Sequence, residues 1–412
     1  MTKGAIARFL ADARPREEEF LAALVREPSD NPPGDCAPHA ERAATLLEEL
    51  GLAVERHPVP PDLVRANGMQ TATNLVVRHA FSAGGPTIAL NAHGDVVPPG
   101  EGWTHDPYGA EIAEGRLYGR GAAVSKSDFA TYAFALLALE SLDHPLRGTV
   151  ELHFTYDEEA GGEIGPAFLL REKISRPDLA IAAGFSYAVV TAHNGCLHLE
   201  VTVHGRSAHA ALPASGIDAL EAATAILASL YRSRATLAAR TSATPGIGSP
   251  QLTVGLISGG INTNVVPDRV TFRLDRRIIP EEDPATVEAD LRAQIAAASS
   301  HARVEIRRIL LARPLVPLPG GERLAATLCA QATKIMGEPI ATTGVPLYTD
   351  ARHYAAAGIP VVLYGAGPRT IEEANAHRAD ERLPLADLHK ATEIIALALA
   401  TLLASLCPDW QI

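Results

Sequence analysis

The alternation of short apolar segments with helical stretches constrains the fold of this 412-residue chain more than any other feature. Strands are predicted at residues 74–78, 87–92, 148–155 and 179–183. Helices are predicted between them, most clearly at 127–142, and before them at 5–25, with a restart at Pro15, and at 40–50. Strands that alternate with helices usually form a sheet covered by helices on both faces. The sequence therefore predicts an α/β fold.

The pattern changes near residue 192. The next elements are predicted as β-α-β-β-α-β, over residues 196–203, 208–233, 251–258, 269–276, 284–299 and 303–309. This order is typical of a small ferredoxin-like sheet with two helices on one face. The first pattern then returns, with a helix at 323–336, a strand at 361–364 and a helix at 385–406. We expect an inserted domain, residues 191–311, between the two parts of the α/β domain, residues 1–190 and 312–412.

Composition and charge exclude several classes of partner. The formal net charge is −12, which disfavours binding to nucleic acid or to an anionic membrane. No segment reaches the ~20 apolar residues that a membrane-spanning helix needs. The four cysteines, Cys36, Cys196, Cys329 and Cys407, have no paired spacing, which is typical of small apolar residues in a reducing compartment. We expect a cytoplasmic protein.

His93 and Asp95 follow the predicted strand at 87–92 directly. Side chains at the ends of strands face the crevice in which open α/β sheets bind their ligands. A His-x-Asp pair suits such a place, because one imidazole nitrogen can bind a metal while a carboxylate holds the other. The pair is a candidate site.

Two adjacent carboxylates, Glu158 and Glu159, follow the predicted strand at 148–155. Adjacent carboxylates can divide their work, with one binding a metal while the other moves a proton to and from the reacting groups. A solvated acidic turn is the alternative. The glycines that follow, Gly161 and Gly162, and the nearby histidine motifs favour the site.

Several motifs together resemble those of the zinc-dependent aminoacylase and carboxypeptidase family, which includes acetylornithine deacetylase, succinyl-diaminopimelate desuccinylase and glutamate carboxypeptidase. The motifs are residues 91–95 (Asn-Ala-His-Gly-Asp), 103–108, 117–122, 155–162 and 376–381 (Ala-His-Arg-Ala-Asp-Glu). The resemblance implies a zinc-peptidase-like α/β/α catalytic domain with an inserted lid that often forms a dimer. It also implies two zinc ions held by five side chains.

The resemblance assigns roles to individual residues. It implies that Glu158 is the general acid/base, that Asp95 supports catalysis, and that His93, Glu159 and His377 are metal ligands. In the inserted domain, residues 205–209 (Gly-Arg-Ser-Ala-His) match the family segment whose histidine polarises the scissile carbonyl, which here is His209.

Further matches lie in residues 259–267 and 275–277. They imply that Asn264 and Arg277 bind the substrate, and that Arg277 pairs a carboxylate bidentately. The implied partners are a carboxylate-bearing small molecule and a second copy of the chain, bound through the inserted domain.

Two of the five ligand positions are not matched. Val124 stands at the place of the bridging aspartate, and no Asp or Glu occurs between Glu114 and Asp128. Asp128 lies one helical turn further on, on the same helix face, so it could substitute only after a backbone shift. The other position falls at Gly184, or at Phe185 after a one-residue slip. Neither residue can bind a metal.

One predicted metal would keep only His93, and the other would keep Glu159 and His377. Zinc sites typically have three or four protein ligands, so we expect no metal or a single weakly bound zinc ion, and no dizinc centre. Without cations, crowded carboxylates should raise at least one pKa in the cleft.

Three functions stay open at this point. The chain could be an amidohydrolase that cleaves an N-acyl amino acid or small peptide. It could be a metal-independent acid/base enzyme that catalyses isomerisation, elimination, decarboxylation or acyl transfer. It could also be a non-catalytic ligand-binding homologue. Loss of activity with a chelator separates the first from the others, and the Glu158→Gln variant separates the second from the third.

Overall fold

The computed structural model describes residues 2–299 and 302–404. The helices are α1 Thr2–Arg26, α2 Ala37–Glu49, α3 Pro61–Ala66, α4 Lys126–Glu140, α5 Pro166–Arg171, α6 Ala219–Leu237, α7 Pro284–Ala298, α8 Glu322–Met336, α9 Ala351–Ala356 and α10 Leu385–Leu403. The strands are β1 Val54–Pro58, β2 Thr73–Ala80, β3 Ser82–His93, β4 Glu111–Ala113, β5 Arg116–Tyr118, β6 Arg147–Thr155, β7 Leu179–Ala182, β8 Val189–His193, β9 Gly195–His204, β10 Gln251–Gly259, β11 Arg269–Ile278, β12 Arg303–Ala312, β13 Thr342–Val345, β14 Val361–Leu363 and β15 Arg382–Pro384.

The chain divides into two compact units. The first comprises Met1–Thr191, Pro317–Thr343 and Thr349–Ile412. The second comprises Ala192–Val316 and Gly344–Tyr348. Each has its own hydrophobic core, as independent folding units usually do.

The first unit is built on an eight-stranded sheet with the order β1-β2-β6-β3-β7-β14-β8-β13. Strand β3 pairs in parallel with β6 and β7, and β7 pairs in parallel with β14. Helix α4 is almost entirely buried and packs against α1, α10, β3 and β6. Its Phe129 ring stacks on Phe154 of β6 with the centroids 3.9 Å apart. This packing fixes the central strands, whose carboxyl ends carry the candidate site.

The second unit contains a four-stranded antiparallel sheet with the order β10-β11-β9-β12. One face carries Leu197, Leu199 and Val201 of β9, which share a core with residues of α6 and α7. Side chains alternate between the faces of a strand, so Cys196, His198 and Glu200 lie on the opposite face. The predicted fold class, an α/β/α domain with an inserted ferredoxin-like domain, is confirmed.

Two predicted helices differ from the observed ones. Helix α6 begins at Ala219 and not at residue 208, because Pro213 and Gly216 interrupt the segment and the Asp218 carboxylate caps the amides of Leu220 and Glu221. Helix α1 runs through Pro15 without the predicted restart. The last predicted helix ends at Leu403, and residues 405–406 and Cys407 lie outside the described residues.

Within the described residues, no helix is long and apolar enough to cross a membrane.

Candidate functional site

The candidate site begins where β3 and β6 end side by side. His93, the last residue of β3, lies opposite Thr155, the last residue of β6. The amide of Gly94 donates a hydrogen bond to the Thr155 carbonyl, with the nitrogen and oxygen 2.8 Å apart. A Cβ added to Gly94 would lie 2.4 Å from a ring carbon of Tyr156, so glycine is required for this close approach. The two chain segments therefore leave the sheet together.

The carboxylate of Asp95 connects these two segments. Its Oδ1 accepts a hydrogen bond from the Glu158 amide at 3.2 Å, and its Oδ2 accepts one from the Glu159 amide at 3.1 Å. Asn31 Nδ2 donates to the same Oδ2 at 2.9 Å. Asp95 is fully buried, and these three donors provide hydrogen bonds to both of its oxygens.

His93 lies against the same aspartate. Its Nδ1 lies 2.9 Å from the Asp95 carbonyl oxygen and 3.4 Å from Asp95 Oδ1. Burial alone would lower the pKa of His93, but the hydrogen bond with Asp95 and the charge of Glu158 outweigh it and hold that pKa well above its usual value. The imidazole therefore lies next to carboxylates that favour its protonated form.

Glu158 carries the most useful shift for proton transfer. Burial among protein atoms raises its pKa to about 7, and the charges of Glu159 and Asp95 act in the same direction, whereas His93 and His377 oppose them. At that pKa a carboxyl group can both accept and donate a proton near neutral pH. Burial is the main cause of this rise in the pKa of Glu158, and the neighbouring carboxylates add to it.

Two further carboxyl groups lie in the same electrostatic environment. Burial, followed by the charge of Asp95, raises the pKa of Asp157 to about 7. Burial, followed by the charges of Glu158 and Asp157, raises the pKa of Asp350 well above its usual value. Asp157 lies in the motif at residues 155–162, but nothing in the local pattern indicated that it shares one site with Asp350.

His377 meets Glu159 at the edge of this group. Its Nε2 lies 3.3 Å from Glu159 Oε1, and the interaction with Glu159 raises the pKa of His377. Its backbone φ is +62°, a left-handed conformation that is uncommon for a residue with a side chain. The site thus brings together His93, Asp95, Glu158, Glu159 and His377, as the sequence predicts.

The segment that carries His377 is anchored by a buried ion pair. Arg120 Nη1 lies 2.6 Å from Glu381 Oε2, and each side chain is only 1% exposed. The other oxygen of Glu381 accepts hydrogen bonds from the amides of Ala123 and Val124 at 3.0 and 3.2 Å. One carboxylate therefore joins the 119–124 loop to the 377–381 segment, a connection that sequence reasoning missed.

The unmatched ligand positions provide no substitute for a metal ligand. Val124 has an apolar side chain, and a Cβ added to Gly184 would lie 2.8 Å from the backbone of Leu363. The next residue, Phe185, pairs with Gly367 in an isolated β-bridge. Space and residue type both exclude a larger ligand at Gly184.

The carboxyl group of Asp128 already forms hydrogen bonds with the backbone. Its Oδ1 accepts a hydrogen bond from the Ala366 amide at 2.7 Å, and the Gly184 amide also bonds the carboxyl group. Burial raises its pKa to about 7. Among the described residues, no group of three metal-binding side chains converges at the ends of β3 and β6. The possible metal-binding side chains that the sequence predicted there are His93, Glu159 and His377.

The predicted substrate-binding residues His209, Asn264 and Arg277 all belong to the second unit. The Ala210 amide donates to the Asn264 carbonyl at 3.0 Å, and His209 forms an isolated β-bridge with Val265. His209 and Asn264, both exposed, are therefore neighbours. Arg277 Nε lies 3.0 Å from Asp275 Oδ1, and its guanidinium lies 5.9 Å from the centre of the Tyr348 ring.

Comparison with known proteins gives a consistent result. Residues 89–401 match Peptidase family M20/M25/M40. Succinyl-diaminopimelate desuccinylase of Methylobacterium nodulans is 30% identical over 390 residues, which cover 90% of this chain and 92% of that protein. Aminoacylase-1 of Mus musculus is 28% identical over 362 residues, which cover 83% of this chain and 85% of that protein.

The fold agrees with a solved structure of low sequence identity. The dipeptidase Dug1p of Saccharomyces cerevisiae matches with a TM-score of 0.78 at 14% identity, over 98% of this chain and 100% of that chain.

The family match and the desuccinylase and aminoacylase relatives place the chain in the aminoacylase and carboxypeptidase class of hydrolases. The chain belongs to Peptidase family M20/M25/M40. The resemblance predicted from the motifs is confirmed, as is the enzyme class that it implied. The family normally binds zinc.

Proposed function

We propose that this chain is an amidohydrolase that acts on an N-acyl amino acid or a small peptide, with Glu158 as general acid/base and with a depleted or absent metal centre. The observation that carries the proposal is the position of Asp95. Its carboxylate accepts hydrogen bonds from the amides of both Glu158 and Glu159 and also lies against His93. An acid/base carboxyl and its charged neighbours are thereby held in one arrangement. Such preorganisation is what catalysis by proton transfer requires.

Glu158 performs two steps in this proposal. Its ionised form takes a proton from the attacking water, and its protonated form then gives that proton to the leaving amine nitrogen. A pKa of about 7 suits both steps. His93 and His377, which lower the pKa of Glu158, stabilise its ionised form. Asp95 is the positioning residue, since it holds the segment that carries Glu158.

The substrate-binding roles rest on the matched motifs of the family. We propose that His209 polarises the scissile carbonyl and that Asn264 and Arg277 bind the substrate. The fork of an arginine suits a carboxylate, because two parallel N–H groups can meet its two oxygens. The desuccinylase and aminoacylase relatives support a carboxylate-bearing substrate.

We propose that the centre holds no metal or a single weakly bound zinc ion. His93, Glu159 and His377 are the donors that remain, and Val124, Gly184 and Phe185 supply none. Because zinc sites typically have three or four protein ligands, a cation here would exchange readily.

A metal-independent acid/base reaction on the same scaffold is the second candidate. The observation that favours it is the crowding of carboxyl groups whose pKa is raised: burial raises the pKa of Asp157 and Glu158 to about 7 and that of Asp350 well above its usual value. A carboxyl that is neutral at pH 7 can donate a proton or a hydrogen bond without a cation.

The test compares hydrolysis of N-succinyl and N-acetyl amino acids and of dipeptides by the wild type and by Glu158→Gln. The matched control is Glu172→Gln, the same change at a half-exposed residue of the first unit. We expect the first variant to lose at least a hundredfold in kcat and the control to keep its activity. Equal activity of Glu158→Gln and wild type would overturn the assignment of Glu158.

A metal chelator separates the candidates in the same assay. Loss of hydrolysis that zinc restores supports the weakly held metal, whereas hydrolysis unaffected by chelator supports a metal-free amidohydrolase. Turnover of these compounds to isomerised, eliminated or decarboxylated products would favour the second candidate. Binding without turnover by both proteins would identify a non-catalytic homologue and contradict both.

We further propose a homodimer formed through the second unit. Strand β10 is an edge strand of its sheet, and Leu256, Ile257 and Ile261 on or beside it are 61%, 54% and 78% exposed. Exposed apolar residues on a sheet edge favour association. A monomeric mass by light scattering would contradict this proposal. We also propose a reducing, cytoplasmic location, which the buried thiols of Cys36 and Cys196 support.

A further inference from the structure

A cysteine, a histidine and an aspartate meet on the sheet of the second unit. Strands β9 and β11 are antiparallel neighbours, with Cys196 opposite Arg277 and His198 opposite Asp275. All four residues lie on the face that the helices do not cover, because their neighbours Leu197 and Leu199 point into the core with α6 and α7. The register of two well-packed strands therefore fixes the relative positions of the three side chains.

One atom from each side chain converges on a common point. Cys196 Sγ lies 3.1 Å from His198 Nε2 and 3.5 Å from Asp275 Oδ2, and His198 Nε2 lies 2.9 Å from Asp275 Oδ2. The same imidazole nitrogen thus meets both the sulfur and the carboxylate. A nucleophilic Cys-His-Asp relay needs a different geometry, with the cysteine and the aspartate on opposite ring nitrogens.

The triangle formed by Cys196 Sγ, His198 Nε2 and Asp275 Oδ2 has nearly the dimensions of an open zinc site. Tetrahedral zinc binds sulfur at ~2.3 Å and nitrogen or oxygen at ~2.0–2.2 Å, which places the donor atoms about 3.4 to 3.6 Å apart. The three observed separations are at most about half an ångström shorter than these. His198 and Asp275 have side chains that are 33% and 27% exposed, so both can make that adjustment and solvent can supply the fourth ligand.

Arg277 lies outside this triangle and contacts one of its three residues. Its Nε bonds Asp275 Oδ1 at 3.0 Å, and this contact orients the carboxylate with Oδ2 directed at the other two donors. Hydrogen bonds of this kind commonly orient metal-binding side chains. Thiolate and imidazole donors favour zinc over calcium or magnesium, which prefer oxygen.

We propose that the second unit carries a site for one zinc ion, bound by Cys196 Sγ, His198 Nε2 and Asp275 Oδ2 with a fourth position open to water or another ligand. Binding releases the thiol proton of Cys196 to solvent, since the thiolate is the ligand. The site uses none of the residues at the ends of β3 and β6, and it does not depend on the proposed hydrolase activity.

Cobalt(II) is the probe that distinguishes this site, because a cobalt–thiolate bond gives a near-ultraviolet charge-transfer band that histidine and carboxylate ligands cannot give. The full chain is freed of metal with a chelator, dialysed and titrated with Co²⁺, and zinc is then added in competition. We expect one equivalent of cobalt to produce the band and zinc to remove it. A folded wild type that shows no thiolate band at saturating cobalt would overturn the site.

Variants assign the ligands. Cys196→Ala should abolish the band, whereas Cys36→Ala, Cys329→Ala and Cys407→Ala should keep it, as should His377→Ala. His198→Asn changes a partly exposed residue, so it tests the site even if Cys196→Ala does not fold. We expect it to weaken cobalt binding at least tenfold, in line with the loss of one of three protein ligands. A band that persists unchanged in His198→Asn or in Cys196→Ala would contradict the assignment.

Discussion

The carboxylate of Asp95 accepts a hydrogen bond from the backbone amide of Glu158, which lies in a separate chain segment, with Oδ1 and the nitrogen 3.2 Å apart. Its second oxygen accepts the Glu159 amide at 3.1 Å. The end of β3 thereby determines where the chain turns after β6. Because the parallel pairing of His93 with Thr155 places both ends at one edge, one buried side chain is enough to hold the segment that carries the proposed acid/base residue.

Replacing Asp95 by asparagine tests this connection. Both oxygens of Asp95 accept from N–H donors, so an asparagine NH₂ group would face at least one donor and leave it unsatisfied. We expect Asp95→Asn to lower the free energy of unfolding by about 1–3 kcal/mol and to reduce hydrolysis. Urea unfolding and the hydrolysis assay measure both effects. Asp62→Asn, at a side chain that is 93% exposed, should leave both unchanged, and equal behaviour of the two variants would contradict the role of Asp95.

The pH dependence of hydrolysis follows from the raised pKa of Glu158. Burial and neighbouring carboxylates raise it to about 7, and only the ionised form can accept a proton from water. We therefore expect kcat/KM to rise with pH and to level off above pH 7. A profile that instead levels off near pH 4.5, the ordinary pKa of a glutamate, would show that Glu158 does not control the rate.

The sequence predicts the fold class and the meeting of the site residues for a physical reason. Alternating strands and helices imply parallel strands whose carboxyl ends share one edge, so His93 and Glu158 were expected at the same edge. Only the structure shows that their strands, β3 and β6, are neighbours. The predicted start of α6 at residue 208 was wrong because helical periodicity continues upstream of Asp218. Only the capping contacts show where the helix begins. The limits of the inserted domain remain a prediction.

Long-range polar contacts were outside the reach of the sequence. Glu381 and Arg120 are 261 residues apart, and Asn31 reaches Asp95 from a loop that carries no apolar periodicity. Such contacts depend on tertiary structure and leave no local pattern. Likewise, Cys196 and Asp275 meet only because β9 pairs with β11, so the spacing of the cysteines alone gave no sign of the cluster.

The buried ion pair of Arg120 and Glu381 should be essential to stability. Removal of one partner leaves an uncompensated buried charge, which costs about 3–5 kcal/mol. We expect this loss for Arg120→Met in urea unfolding, together with weaker hydrolysis, since Glu381 also holds the segment that carries His377. Arg65→Met removes the exposed pair with Asp62 and should cost less than about 1 kcal/mol. Equal losses in the two variants would contradict the anchoring role.

Replacement of Glu17 should stabilise the protein by an amount that depends on pH. It is 1% exposed, and burial raises its pKa from 4.5 to about 7 despite a hydrogen bond from Thr392. A carboxyl with a raised pKa binds more protons in the folded state, so stability falls as pH rises from 4.5 to 7. Glu17→Gln removes this cost.

We expect Glu17→Gln to be more stable than the wild type by roughly 3 kcal/mol at pH 8, as a shift of about 2.5 pKa units implies, and no more stable at pH 4.5 or below. Urea unfolding at several pH values measures the difference. Glu19→Gln, in the same helix but at a side chain that is 67% exposed, is the control. A gain that does not change with pH would show that burial of the charge is not its cause.

Val124 provides the most direct test of the depleted metal centre. Its side chain occupies the place that the family motif gives to a bridging aspartate, and its amide is held by Glu381. Val124→Asp would supply an anionic donor one residue before Ser125, whose Oγ lies 3.1 Å from the His93 carbonyl oxygen. We expect this variant to retain more zinc after dialysis than the wild type, because each added protein ligand brings the site closer to the three or four that zinc requires.

The measurement is elemental mass spectrometry after loading with zinc, in a Cys196→Ala background that removes the separate site of the second unit. Val124→Asn is the matched control, since it has the same shape without the charge and should retain no more zinc than the parent. If the parent already retains two equivalents, ligands other than those assigned here complete the centre. If Val124→Asp and Val124→Asn retain equal amounts, the missing carboxylate is not what limits metal binding, and the gap at Gly184 and Phe185 becomes the decisive one.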